Sequence, residues 1–169
     1  MSTGHVEYAS LNGTHIFKLI GEVRAQSCIS LDKLLNRIEQ QDNVVGAIVD
    51  LTETTFIVLG VLAKLGLKLK QVHNIQAVML STNSDITTLA NSMGLSQVFV
   101  ILNYCGDPNV CTRALMEEHI THQNMLNTVL DAHKTLMKLN QSNKNMFEPL
   151  VKQLQKEQDS LDKVSEQKV

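Results

Sequence analysis

Hydrophobic and polar positions follow two different patterns along this chain, and the change comes after Gly106. Before Gly106, short apolar runs alternate with stretches in which apolar residues recur every three or four positions. This order of elements, β-β-α-β-α-β-α-β, predicts an α/β fold with a mixed, largely parallel sheet of 4-5 strands and helices packed on it. After Gly106 the pattern is helical. We therefore predict an α/β domain over 1–104 and a helical C-terminal extension over 105–169.

The elements of the first part are marked by turn and capping residues. Asn12-Gly13 predicts a two-residue hairpin between strands at 6–11 and 15–20. Ser30 and Ser84 are expected to cap two helices, because a serine oxygen accepts from the first free N–H groups. The nearly continuous apolar run 44–51 predicts a strand buried on both faces. Further strands are predicted at 75–80 and 98–102, and a further helix at about 58–72.

The segment from Val44 to Leu69 has the order strand, loop and helix start, where α/β proteins usually place their chemistry. The strand is expected to end at Asp50, and a Thr/Glu loop follows it. The helix then opens with Val58, Leu59 and Gly60, which carry no side-chain oxygen, nitrogen or thiol. A segment in this position without reactive groups predicts binding rather than catalysis.

The extension begins at Asp107-Pro108, a good helix start, and no Gly or Pro follows before Lys138. A polar break at 141–145 and a second helix at 146–164 then predict a helical hairpin. This hairpin could fold on the sheet, pair in a homodimer or carry a partner. The first helix has an imperfect heptad stripe that we predict to be an oligomer or second-partner surface: Leu115, His119, His122, Leu126, Val129, His133 and Leu136.

Composition and charge exclude some classes of function. The net charge of -2 gives no general attraction to nucleic acid or to an anionic membrane. No apolar run approaches the ~18 residues that a membrane helix needs. Three cysteines without CxxC spacing are typical of free thiols in a reducing compartment. We expect a cytoplasmic protein that binds no nucleic acid and does not insert into a membrane.

The histidines of the stripe raise the question of a metal site. His119 and His122 are an i, i+3 pair next to Glu118, but the spacing is not HExxH, and no further ligand group completes a site. No base is evident for Cys105 or Cys111. We therefore expect no metal, no cofactor and no catalytic residue.

Three motifs between residues 5 and 102 resemble the STAS domain, the family of bacterial anti-sigma factor antagonists. They are IFKLIGEV at 16–23, VDL at 49–51 followed by TFI at 55–57, and MGLSQVF at 93–99. Their order and spacing carry the resemblance, and the helical extension lies outside it. The resemblance implies a STAS-like sheet and a site at the start of the helix that follows Phe56-Ile57.

In that family, a kinase that is also the anti-sigma factor phosphorylates a serine at this site, and the added charge of about -2 blocks the partner surface. Carried over without gaps, Leu59 stands where the family has the serine, so the usual phosphoswitch is absent. Leu59 and Val58 would then form an apolar contact, with ordinary helix packing as the alternative. The expected partner-binding residues are Asp50, Thr54, Thr55, Val58, Leu59, Gly60 and Ser84.

The leading hypothesis is therefore a non-enzymatic regulatory domain that binds an anti-sigma factor or a kinase-like regulator. The alternative is a sensory or scaffold STAS module that binds a small ligand, at the C-terminal crevice of the sheet, or a larger signalling or transport assembly. An enzyme is the third reading. It would need a polar cleft that contains a residue with a strongly shifted pKa.

Overall fold

The computed structural model describes residues 4–105, 110, 112–115 and 121–167. Over these residues the chain forms one six-stranded mixed sheet, five α-helices and one 3-10 turn. None of the described helices combines the length and apolar character needed to cross a membrane. The elements in chain order are β1 (His5–Leu11), β2 (Thr14–Val23), α1 (Ala25–Glu39), β3 (Gly46–Ile57), α2 (Leu59–His73), β4 (Ala77–Leu80), α3 (Ser84–Ser92), β5 (Phe99–Leu102), β6 (Arg113–Ala114), α4 (His122–Met137) and α5 (Gln141–Gln167).

The sheet has the strand order β5-β4-β3-β2-β1-β6. Strands β2 to β5 are parallel neighbours, whereas β1 is antiparallel to both β2 and β6. The β1–β2 hairpin turns at Asn12 and Gly13, whose φ angles of 50° and 84° are the left-handed values that a tight hairpin requires. The predicted α/β architecture with a mixed, largely parallel sheet is confirmed, although the sheet has six strands rather than four or five.

One face of the sheet supplies the core. Side chains of the parallel strands lie on this face at no more than 1% exposure, including Phe17, Leu19, Val49 and Phe99. Helices α1 and α2 contact each other and pack on this face of the sheet. The alternate residues of β2 are only half-buried, so the other face of the sheet is the more open one. This arrangement places the start of α2 beside the carboxyl ends of the parallel strands.

Strand β3 is longer than the sequence predicts. It was expected to end at Asp50 before a loop, but it continues to Ile57 and pairs with β2 as far as Val23, with two shifts of register. Threonine favours strands, and the Thr54 hydroxyl donates to the Leu19 carbonyl at 2.8 Å. The predicted Thr/Glu loop is therefore wrong, and Val58 alone separates β3 from α2.

Two predicted helix caps are also wrong. Helix α1 already begins at Ala25, because its buried face extends back to Cys28, so Ser30 lies inside the helix. The N-cap of α3 is Asn83, whose side-chain oxygen accepts from the N–H groups of the first turn, and Ser84 is the first helical residue. An asparagine caps as well as a serine does, and here it lies one position earlier.

The predicted long helix from Asp107-Pro108 to Lys138 is wrong in its first part. Arg113–Ala114 instead form β6 against β1, and the N–H of Leu115 donates to the Val6 carbonyl at 2.8 Å. Helix α4 begins only after its N-cap Thr121. The sheet therefore includes residues beyond position 104. Asp107-Pro108 and His119 lie outside the described residues.

Helices α4 and α5 pack against each other as a hairpin, and α4 also lies against α1 and α2. The hairpin therefore folds back, within one chain, on the layer formed by α1 and α2. Helix α5 begins at Gln141, inside the predicted polar break, and Pro149 lies in its interior. Asn143, which is 1% exposed, fixes the hairpin because its Nδ2 donates at 2.8 Å to the carbonyls of Met93 and Leu136.

Candidate functional site

The start of α2 lies directly after β3, where the resemblance implies the partner site. Val58 is the N-cap of α2 in an extended conformation, and its side chain makes no capping hydrogen bond. Leu59 is only 5% exposed, and Gly60 is buried as well. This helix start therefore presents no hydroxyl and no carboxylate.

Gly60 is buried because α4 packs directly on it. A Cβ built at Gly60 would lie 2.5 Å from the Cβ of Ala132 and 3.0 Å from its Cα. Only a glycine allows the two helices this close approach. Leu59 therefore takes part in helix packing, which was the alternative to an exposed contact.

Phe56 is an exposed aromatic side chain at this end of the sheet, where Leu102 at the end of β5 is exposed as well. The exposure of Phe56 is 51%, and the adjacent Ile57 is buried at 6%. The guanidinium carbon of Arg24 lies 5.9 Å from the centre of the Phe56 ring, and Arg24 donates to Glu22 at 2.8 Å. Sequence reasoning used Phe56 as a motif residue and missed it as a contact residue. The sequence carried no clear signal for this role, because the residues after Asp50 were expected to form a loop rather than a strand.

Other predicted site residues use their polar groups inside the sheet. An Asp50 oxygen accepts from the N–H of Thr52 at 2.9 Å and from its hydroxyl at 2.6 Å. Asp50 and Thr54 are 8% and 4% exposed. Ser84 and Thr55 are exposed, and Val58 is half-buried. Of the seven residues predicted for partner binding, these last three are accessible at the surface.

Charged side chains on the more open face of the sheet are paired with opposite charges or hydrogen-bond donors. Lys18 lies 2.5 Å from Glu53, and this hydrogen bond raises the pKa of the lysine. Glu7 accepts a hydrogen bond from the Thr112 hydroxyl, which lowers the pKa of the carboxyl group. Positive and negative side chains, such as Lys18 and Glu7, therefore alternate on this face of the sheet.

A cavity of about 170 Å³ opens between the start of α2, helix α3 and the α4–α5 hairpin. Its walls are apolar apart from the His133 imidazole. The Nδ1 of His133 lies 2.7 Å from the carbonyl oxygen of Val129, and its ring meets Phe147 edge-on with 5.1 Å between centroids. The apolar walls include Val58, Leu89, Met93, Leu136 and Phe147.

The heptad stripe packs mostly within the chain. Leu126 and Leu136 are 4% and 5% exposed, and Val129 and His133 are half-buried. His122 is exposed and lies 2.9 Å from Glu157 of α5. Leu115 lies beside the sheet, partly buried against the core, rather than on the helix. A dimer through this stripe would have to displace contacts that α4 already makes.

Sequence reasoning also missed two histidines that each have a buried ring nitrogen without a partner. His15 is 2% exposed, and its Nδ1 lies 2.6 Å from the Tyr8 hydroxyl, but its Nε2 has no partner. The Nε2 of His73 is buried without a partner as well. Burial lowers the pKa of His15, and the charge of His73 lowers it further. Across the described part of the chain, no three His, Cys, Asp or Glu side chains come together as metal ligands would.

Neither a comparison with protein-family models nor a search of the curated proteins finds a match to this chain.

Proposed function

We propose that this protein is a non-enzymatic regulatory domain of the STAS type that binds a protein partner in the cytoplasm. Support comes from the three motifs and from the α/β fold with a mixed, largely parallel sheet, with which the resemblance is compatible. By the same resemblance, the partner is an anti-sigma factor or a related kinase-like regulator.

The observation that carries the proposal is the exposed Phe56, at the end of β3 and next to Arg24. Aromatic and arginine side chains are enriched in the centres of protein interfaces. A half-exposed phenylalanine gains free energy when a partner covers it, because its ring leaves water. We define the Phe56 surface as Thr55, Phe56, Val58 and Ser84. The other predicted residues, Asp50, Thr54, Leu59 and Gly60, are buried and lie outside this surface.

Control of binding would differ from the family's phosphoswitch. Leu59 replaces the hydroxyl residue, and α4 covers Gly60 next to it. A phosphoryl group at this point would find neither a hydroxyl to attach to nor room beside Ala132. The protein would therefore bind its partner without the serine switch.

The test compares the wild type with Phe56→Asp and with the matched control Val45→Asp. Val45 is 68% exposed just before β3, at the opposite end of the strand. Each purified protein is used to capture its partner from an extract of the source cells. The captured protein is identified by mass spectrometry, purified and titrated by calorimetry.

We expect Phe56→Asp to weaken binding at least tenfold and Val45→Asp to leave it unchanged. Circular dichroism checks that both variants are folded. If Phe56→Asp binds the same partner as tightly as the wild type, the Phe56 surface is not the contact. Leu59→Asp is unsuitable for this test, because Leu59 is buried and a charge there would destabilise the fold whether or not the residue contacts a partner.

A further inference from the structure

The cavity beside α2 has the size of a single small ring. Its volume is about 170 Å³, and helices α3, α4 and α5 meet the start of α2 around it. Apolar cavities of about 150 Å³ take up benzene in other proteins. Its walls combine aliphatic side chains with the edge-on pair of Phe147 and His133 and with the polarisable side chain of Met93. Such walls favour an aromatic ring.

His133 gives this cavity one hydrogen-bond acceptor. The Val129 carbonyl can only accept, so the Nδ1 of His133 must carry the proton in their 2.7 Å hydrogen bond. In the neutral ring, Nε2 is then the acceptor. A ligand that satisfies it needs one O–H or N–H donor.

The cavity also selects against charge. None of the described residues that line it is Asp, Glu, Lys or Arg. A carboxylate or an ammonium ion would lose its water there without gaining a counter-charge, which is costly. The preferred ligand is therefore neutral.

We propose that this cavity binds a small neutral aromatic molecule with one hydrogen-bond donor, of the phenol or indole class. The ring lies among Leu136, Met93 and Phe147, and the donor bonds to Nε2 of His133. Ala132, which packs on Gly60, also lines the cavity. A bound ring therefore strengthens the contact between α4 and α2. This site does not depend on the partner proposed for the Phe56 surface.

The experiment titrates the full chain, with its methionine methyl groups labelled by ¹³C, against phenol, indole, benzene and benzoate. NMR follows the Met93 methyl group, and thermal unfolding is recorded in parallel. Ligand that binds only the folded chain raises Tm, by roughly 5–11 °C at a hundredfold excess over Kd. We expect phenol and indole to shift the Met93 signal, benzene to bind about fivefold or more weakly, and benzoate not to bind.

Three variants locate the site. His133→Phe keeps a ring but removes the acceptor, so it should reduce phenol affinity to that of benzene. Leu89→Phe should block binding by filling the mouth of the cavity, and it is tolerable because Leu89 is 40% exposed. Leu150→Phe, on an exposed leucine of α5 outside the cavity, should bind like the wild type.

Wild-type protein alone also decides the question, should a variant fail to fold. Nuclear Overhauser contacts from phenol protons to the Met93 methyl group and the Phe147 ring are expected. The proposal is overturned by the absence of these contacts at millimolar phenol, by benzoate binding as tightly as phenol, or by unchanged affinity in a folded Leu89→Phe variant.

Discussion

Replacing Gly60 by alanine places a methyl group where the backbone of α4 lies. The new Cβ would be 2.5 Å from the Cβ of Ala132 and 3.0 Å from its Cα, so one helix must move. Overpacking of this kind costs about 1–3 kcal/mol. Alanine favours a helix over glycine by up to about 1 kcal/mol, which offsets part of this cost. Because two of the three nearest atoms belong to the backbone of Ala132, which cannot rotate aside, the cost should lie in the upper part of this range, at about 2–3 kcal/mol. We therefore expect a net loss of about 1–2 kcal/mol in unfolding free energy, or a fall in Tm of about 2–8 °C.

The sign of this change tests the docking of α4. If α4 did not pack on α2, only the helix preference would remain, and Gly60→Ala would stabilise the protein. Urea unfolding followed by far-ultraviolet circular dichroism measures the difference. Gly46→Ala is the matched control, because its Cβ would meet only the Thr14 hydroxyl oxygen at 3.9 Å. The control should change stability by less than about 0.5 kcal/mol.

A second variant separates the clash from other effects. Ala132→Gly removes the methyl group that faces Gly60, and by itself it should cost about 1 kcal/mol of helix preference in α4. Combined with Gly60→Ala it should cost less than the sum of the two single changes, because the clash is relieved. A Gly60→Ala protein as stable as the wild type, or more stable, would refute the packing described for these helices.

Three further predictions concern buried polar groups. The lowered pKa of His15 means that the unfolded chain takes up its proton first, so stability should be full above about pH 6.5 and fall below it. His15→Gln should flatten this fall in pH-dependent melting curves, and an unchanged slope would contradict the assignment. Asn143→Ala removes the side-chain donor to the Met93 carbonyl and one of the donors to the Leu136 carbonyl, which keeps the N–H of Leu139, so it should cost about 1–3 kcal/mol in urea unfolding, whereas the exposed Asn145→Ala should cost almost nothing. Burial raises the pKa of Cys28 to about 12, so alkylation mapped by mass spectrometry should label the exposed Cys105 first; equal labelling rates would count against a buried thiol.

The local parts of the fold could be predicted from the sequence. Asn12-Gly13 specifies its hairpin because few residues tolerate the left-handed backbone there. Helix α2 was predicted within one residue of its bounds, since its apolar residues recur at the helical period over four turns. The end of β3 was not predictable in the same way. Its Thr-rich sequence suits a turn as well as a strand, and the hydrogen bond from Thr54 to Leu19 crosses to another element.

The candidate site depended even more on contacts between distant parts of the chain. Nothing near Leu59 in the sequence indicates that Ala132 will lie against Gly60, so the choice between exposure and packing stayed open. The cavity was equally hidden, because its walls come from four helices. Phe56 was missed for a related reason, because the segment after Asp50 was expected to be a loop, and the shift of register between Thr54 and Phe56 interrupts the simple alternation of a strand.

The short strand β6 has a consequence for any shortened form of the protein. It occupies the outer edge of β1, where Glu7 and Tyr8 would otherwise present free backbone groups. Such unpaired edges recruit strands from other molecules, which leads to aggregation. Truncation after residue 104 would remove this edge strand and also α4, the helix that packs on Gly60. A fragment that ends at residue 104, the domain boundary predicted from the sequence, would therefore be prone to aggregation. Expression work should keep the chain at least to the end of α5.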